Sequence, residues 1–225
     1  MLQKLIHNIF SVLFPEKCLR CGEGNAPICS ACLARIDYPD LIERDNIFAA
    51  ANYGDPVPRS AVWKLKYKNM RGMAKPLGEL LYERLFKDKV AEVVGRREIF
   101  LIPVPLSKVR LRERGFNQSE LIAKHLLETI LKNNPVWEGK IVLRKDILLK
   151  TRHTESQVSL KERSERLRNL KDSMAVVSPD SLQNKDVILI DDVSTTGATI
   201  EEARRVLRYA GAHKVIAMVV ARGAS

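Results

Sequence analysis

The segment VILIDDVSTTGAT, Val187 to Thr199, leaves a chain few ways to fold around it. Val187 to Ile190 read as a buried strand, and they run straight into two adjacent carboxylates, Asp191 and Asp192. Ser194, Thr195, Thr196, Gly197, Ala198 and Thr199 follow, and from Ile200 the pattern turns helical. A strand with no polar side needs cover on both faces, which commits the chain to helices layered on a mostly parallel sheet. An ordinary strand, loop and helix with a threonine cap would explain the hydroxyl residues alone. It would not explain two successive acids after an apolar run, one of which has to face inward at a desolvation cost.

Each part of the segment has a chemical use. Backbone N–H groups at a helix start, with the helix dipole behind them, make an anion site, and serine and threonine hydroxyls add donors around a phosphate. Two ionised aspartates offer only acceptors, which suits the two donors of a sugar diol. Phosphate at one end and diol at the other describe ribose 5-phosphate. Gly197 lets the backbone come close to such a ligand, and Gly197→Val is expected to block it with limited loss of fold.

A second constellation lies near the start of the chain. Cys18 and Cys21 form one CxxC pair and Cys29 and Cys32 another, seven residues apart. Two such knuckles can aim four thiolates at one point, as tetrahedral zinc requires, and a closed all-cysteine set reads as structural. Paired disulfides are the alternative, disfavoured in a reducing compartment. Residues 2–13 carry apolar side chains at helical spacing, interrupted by Lys4, His7 and Asn8, which suits an amphipathic helix rather than a secretory signal. The protein is expected to be soluble and cytoplasmic, without a transmembrane segment.

Between these landmarks the chain alternates helical and strand patterns. A linking stretch covers Phe48 to Tyr53, helices are expected from Ser60 and over Met73 to Val90, and a strand over Glu98 to Pro105. A helix from Phe116 to about Leu131, one or two strand pieces over Ile141 to Leu149, and strands at Val176–Val177, Asp186 to Ile190 and Lys214 to Ala221 complete the pattern. Two domains are expected: residues 1–50, holding the helix and the cysteine module, and residues 51–225. The formal net charge of +11 attracts phosphate-bearing partners. Lys108, Arg110, Arg112 and Arg114 form a basic run, and residues 144–171 hold nine basic against four acidic side chains. Phe116, Asn117 and Gln118 after Gly115 suit a base-stacking corner, although 6% aromatic content is little for a stacking platform.

The Asp191–Thr199 segment resembles the phosphoribosyl-pyrophosphate motif of type I phosphoribosyltransferases. Joined to the cysteine pairs, and to Lys64 to Tyr67, Ile102 to Pro105, Arg112 to Gln118, Arg152 to Gln157 and Arg166 to Asn169, it is similar to the ComF/GntX family. The resemblance implies a type I phosphoribosyltransferase fold, α/β with a mostly parallel central sheet flanked by helices, carrying a small N-terminal zinc ribbon. It implies phosphoribosyl pyrophosphate as ligand, bound with magnesium by Asp191, Asp192, Ser194 to Thr199, Val104 and Lys108, and pyrophosphate displacement at C1 by a nitrogen nucleophile. Arg152 to Arg163 would be the lid, with Arg152, Asp191 and Asp192 as the catalytic set, and Arg112, Arg114, Phe116, Asn117 and Gln118 as the acceptor or nucleic-acid side. Thr195 stands where some salvage enzymes carry an acidic base. Some family members serve DNA uptake, which brings in single-stranded DNA, a DNA-uptake helicase and a homodimer as candidate partners. The alternative reading is a non-catalytic single-strand-binding factor that uses the phosphoribosyl site as a sensor.

Overall fold

The computed structural model describes residues 17–24, 26–39, 43–94, 97–151 and 172–223. The N-terminal helix expected over residues 2–13 and the lid from Arg152 to Arg163 lie outside them. The described strands are β1 (Glu43–Arg44), β2 (Ile47–Asn52), β3 (Ile99–Pro103), β4 (Ile141–Leu143), β5 (Leu148–Lys150), β6 (Met174–Val176), β7 (Asp186–Ser194) and β8 (Lys214–Arg222). The helices are α1 (Ser30–Ala34), α2 (Pro56–Tyr67), α3 (Ala74–Leu81), α4 (Lys108–Arg114), α5 (Gln118–Asn133) and α6 (Ala198–Tyr209). A π-helical stretch, Tyr82–Val90, continues α3.

The main sheet has the order β1-β2-β8-β7-β3-β4. Every neighbouring pair is parallel except β1 with β2. β5 and β6 form a separate antiparallel pair. β7 therefore lies inside the sheet, between β8 and β3, which explains its unbroken apolar run. Its side chains alternate: Ile188 and Ile190 face the layer of α2, α3 and α5, and Val187 and Leu189 face the layer of α6 with the β5–β6 pair. The first layer buries Leu65, Leu77, Leu81, Ile122 and Leu126, and the second buries Ile200, Ala203, Leu207 and Leu148. Each such aliphatic chain contributes about 1.5–3 kcal/mol relative to exposure. At Gly78 the helices α3 and α5 touch: a Cβ there would come within 2.8 Å of the Leu126 backbone nitrogen.

Three elements differ from the pattern read in the sequence. Phe48 to Tyr53, taken as a link, falls largely in β2, whose Ala49, Ala50 and Ala51 are fully buried and which pairs with β8. The basic run at 108–114 is a short helix, started by the Ser107 side chain and ended by Gly115 at φ 74°. β7 runs past Ile190 to Ser194, so both aspartates are strand residues. Among the described residues no helix is long and apolar enough to cross a membrane.

The cysteine module is joined to this body through one continuous core. Cys18, Ile28, Cys32 and Ile36 pack in the same apolar cluster as α2, α3 and α5. Buried Arg84, from the π-helical stretch, donates to the carbonyls of Ala34 (3.0 Å) and Ile36 (2.9 Å), and its guanidinium lies 3.6 Å from the Tyr38 ring centre. Asp55 adds a second tie: one carboxylate oxygen accepts from Asp37 N–H (2.9 Å) and the other caps α2 at Val57 N–H (2.8 Å).

Candidate functional site

Because successive strand residues face opposite sides, Asp191 and Asp192 leave the tip of β7 into different surroundings. Asp192 turns inward and is 3% exposed. A bare carboxylate there would be costly, and Lys66 near the end of α2 answers it, Nζ to Oδ1 at 2.6 Å. The second oxygen, Oδ2, is enclosed and has no hydrogen-bond partner. Burial is the largest single influence and would pull the Lys66 ammonium toward neutrality, but the Asp192 charge and hydrogen bond with the Asp191 charge together outweigh it and raise the pKa.

Asp191 opens into a cavity. Its Oδ1 accepts from the Ser119 hydroxyl (3.0 Å) at the start of α5 and from the Asp192 backbone N–H (2.9 Å). Burial, then the neighbouring Asp192 charge, push its carboxyl up to about 7, against the pull of Lys66, the Asp192 N–H and Ser119. Burial, then the nearby Arg110 charge, lower the Lys150 pKa against the pull of Asp191, while the Arg114 charge acts on Lys66. Two acids are thus ringed by four cations from α2, α4 and β5, more positive charge than the aspartates need and a setting fit for a polyphosphate.

The turn from β7 into α6 completes the cavity. Asp191, Val193, Ser194, Thr195, Gly197, Ala198, Thr199 and Ile200 line a small cavity, half open to solvent, at the edge of the sheet. Gly197 is the N-cap of α6, and no side chain caps the helix there, so the helix start is left for a ligand. Thr196 Oγ1 accepts weakly from Ala198 N–H (3.4 Å), and the buried Ser194 hydroxyl has no partner. Gly197 adopts φ 80°, and a Cβ on it would meet Ile47 Cδ1 at 3.1 Å. Valine at 197 is therefore strained in backbone and side chain, so the limited loss of fold expected for Gly197→Val gives way to a substantial one.

The remaining candidates lie around this centre. Val104 is buried; its N–H donates to Ile190 O (2.9 Å) and its carbonyl accepts from Asn117 Nδ2 (3.0 Å). Asn117 also caps α5, accepting from Ser119 N–H (3.0 Å), and buried Gln118 accepts from Arg114 (2.9 Å). Phe116 is mostly buried with the Arg71 guanidinium 4.7 Å from its ring centre. Lys108 and Arg112 are exposed on α4. Arg152 lies outside the described residues. Lys66 and Ser119 had no place in the site read from the sequence. The lysine repeat 64, 66, 68 at the end of α2 was the available signal, without the register that picks its middle member.

The four thiols form the second centre. Their sulfurs all lie within 4.8 Å of one another, with Cys21 and Cys29 at 3.9 Å, and none is in a disulfide. Tetrahedral zinc with bonds of about 2.3 Å sets its sulfurs about 3.8 Å apart, so the set fits that ion. Burial opposes ionisation of Cys18, but the N–H groups of Cys21, Cys29 and Arg20 overcome it and bring the thiol down to about 6. Cys32 is pushed up to about 12 by its contact with Cys29 and by burial. One thiolate forms readily and the next resists, as in any cluster whose charge lacks its cation.

With this geometry in place, comparison with known proteins is direct. The profile of the phosphoribosyl transferase domain family matches residues 101–225, and the parallel sheet with its β7–α6 turn is the architecture of that class. The DNA utilization protein YhgH of Shigella flexneri is 30% identical over 209 residues, 88% of this chain and 80% of that one. Competence protein F of Haemophilus influenzae is 28% identical over 179 residues, 79% of this chain and 73% of the other. Competence protein ComFC of Bacillus subtilis is 35% identical over 126 residues, 56% of this chain, and the match spans less than half, 45%, of that relative. The chain belongs to the ComF-like family of phosphoribosyl transferase domain proteins.

Proposed function

We propose that the tip of β7 binds phosphoribosyl pyrophosphate with magnesium, and that the chain transfers its phosphoribosyl group to a nitrogen acceptor. The observation that carries this reading is the pairing of Asp191, with Asp192 beside it at the tip of β7, and an uncapped, hydroxyl-lined helix start in one cavity lined by Asp191. The start of α6, with Thr195, Thr196 and Thr199, would take the 5-phosphate, and the aspartates the ribose hydroxyls. Magnesium would be carried mainly by the ligand's own pyrophosphate and sugar oxygens, neutralising the leaving group. Lys66, Lys150, Arg110 and Arg114 hold the negative pyrophosphate against the sheet edge, and Arg152 and the basic segment after it would close over C1 and exclude water. The four-cysteine cluster is read as a structural zinc ribbon of a reduced, cytoplasmic protein. Calorimetry with phosphoribosyl pyrophosphate and magnesium tests the binding step. Pyrophosphate release on adding nitrogen acceptors tests the transfer, and no heat with any ribose phosphate would end this reading.

A second reading, single-strand DNA binding, is favoured by one surface. Trp63 and Tyr67 on α2 are 46% and 62% exposed, with Lys68 5.2 Å from the Trp63 ring centre and Arg114 5.4 Å from that of Tyr67. Aromatic faces beside cations are how single strands are held, by stacking and by phosphate attraction. A DNA-uptake helicase and a second copy of the chain are further partners under this reading. Binding of labelled single strands against salt tests it: a steep slope supports it and a slope near zero removes it.

A further inference from the structure

The two aspartates are not equally available, and the difference points to Lys66. Asp191 lines the cavity, whereas Asp192 does not. The Asp192 side chain is 4% exposed, with Oδ1 held by Lys66 and Oδ2 sealed without a partner. A sugar diol meeting this resting site finds one carboxylate. The Lys66 side chain is 20% exposed against 4% for Asp192, so of the two ion-pair partners it is the less enclosed. Of the other charged groups around the ion pair, Arg114 and Arg110 from α4 and Lys150 from β5 attract an incoming anion, and Asp191 adds to the hold on Lys66. Ser119 from α5 and the Asp192 N–H occupy Oδ1 of Asp191, so neither competes for the ammonium.

We propose that Lys66 is a binding residue of the phosphoribosyl site with two successive partners: it locks Asp192 in the empty site and passes to a ligand phosphate oxygen as a ribose hydroxyl replaces it on Asp192. This deepens the reading given above and rests on it. The exchange keeps the ammonium paired with an anion throughout, while the carboxylate gives up its counter-ion and keeps a hydrogen-bond donor, the neutral ribose hydroxyl. It also makes the second phosphoryl group part of the recognition of the sugar. Ribose 5-phosphate lacks a pyrophosphate near C1 to draw the lysine out, so it would engage Asp191 alone.

The test compares intact wild type with Lys66→Met, Lys66→Arg and the double variant Lys66→Met with Asp192→Asn, which removes the buried charge and guards against loss of fold. Calorimetry with magnesium is run with phosphoribosyl pyrophosphate and with ribose 5-phosphate. Lys66→Met is expected to weaken the pyrophosphate compound by at least about tenfold and ribose 5-phosphate by much less, with Lys66→Arg recovering most of the difference. Equal loss for both ligands, or none, overturns the exchange. Carboxyl-carbon NMR titration of the empty proteins decides the lock separately. Removing the ammonium should displace the titration of Asp191 to higher pH, and an unchanged titration overturns the lock. If wild type binds neither ligand, the phosphoribosyl reading falls while the NMR result still stands or fails by itself.

Discussion

The cysteine module and the tip of β7 face the same electrostatic problem and solve it in opposite ways. Each crowds acidic groups into a few ångströms: four sulfurs within 4.8 Å in one, two consecutive carboxylates in the other. The cysteines have no cation of their own among the described contacts, and their ionisation is split between an easy thiol and a resistant one. The aspartates have Lys66 built in at 2.6 Å. The cysteine set gathers its four sulfurs around one point, with Cys18 and Cys32 in the core and Cys21 at the surface. The tip of β7 carries its own counter-charge, partly exposed, and leaves Asp192 Oδ2 and the Ser194 hydroxyl unsatisfied.

The largest effect that would sharpen this contrast comes from metal removal. Chelation should loosen residues 17–37, forfeiting binding free energy on the order of 10 kcal/mol, while amides of β7 and β8 keep their protection from hydrogen exchange. Loss of protection throughout the sheet would show that the two regions do not differ in this way. Next comes Asp191→Asn with Asp192→Asn, expected to weaken phosphoribosyl pyrophosphate by about 100-fold or more while leaving one zinc per chain by elemental analysis. Arg84→Ala strands the Ala34 and Ile36 carbonyls and should cost about 2 kcal/mol in denaturant unfolding, chiefly by detaching the module. Gly197→Ala should cost about 1 kcal/mol through its φ of 80° and weaken phosphate binding by a few-fold in the same titration.

A separate effect is in pH. Asp191 holds its proton more tightly folded, at about 7, than unfolded, near 3.9. Its contribution to the stability of the empty protein is therefore full at low pH and lost as pH rises through about 7, and ribose 5-phosphate affinity should move the other way, rising across that range. Thermal melts and calorimetry at several pH values check both signs, and a flat affinity profile would remove Asp191 from the diol.

The chemistry-bearing residues were legible where a function forces an odd local pattern. Two acids after four apolar residues, and two CxxC pairs seven residues apart, have few bland explanations, and both clusters assemble in three dimensions. What stayed hidden has ordinary local patterns. Ala49, Ala50 and Ala51 lack the branched side chains that mark strands, and only pairing with β8 makes them one. Lys66 is one of three lysines at alternate positions at the end of α2 and just past it, and only tertiary packing sets it against Asp192. Ser119 sits in the first turn of α5 among capping residues, where a serine ordinarily needs no further reason. Tertiary register, not composition, distinguishes all three.

The most direct test of the whole account is a structure of the protein with phosphoribosyl pyrophosphate and magnesium bound. The account predicts the 5-phosphate at the start of α6, against Thr195 to Thr199, with the ribose hydroxyls on Asp191 and Asp192. A ligand seated elsewhere, with both aspartates and Lys66 as they stand in the empty protein, would contradict it.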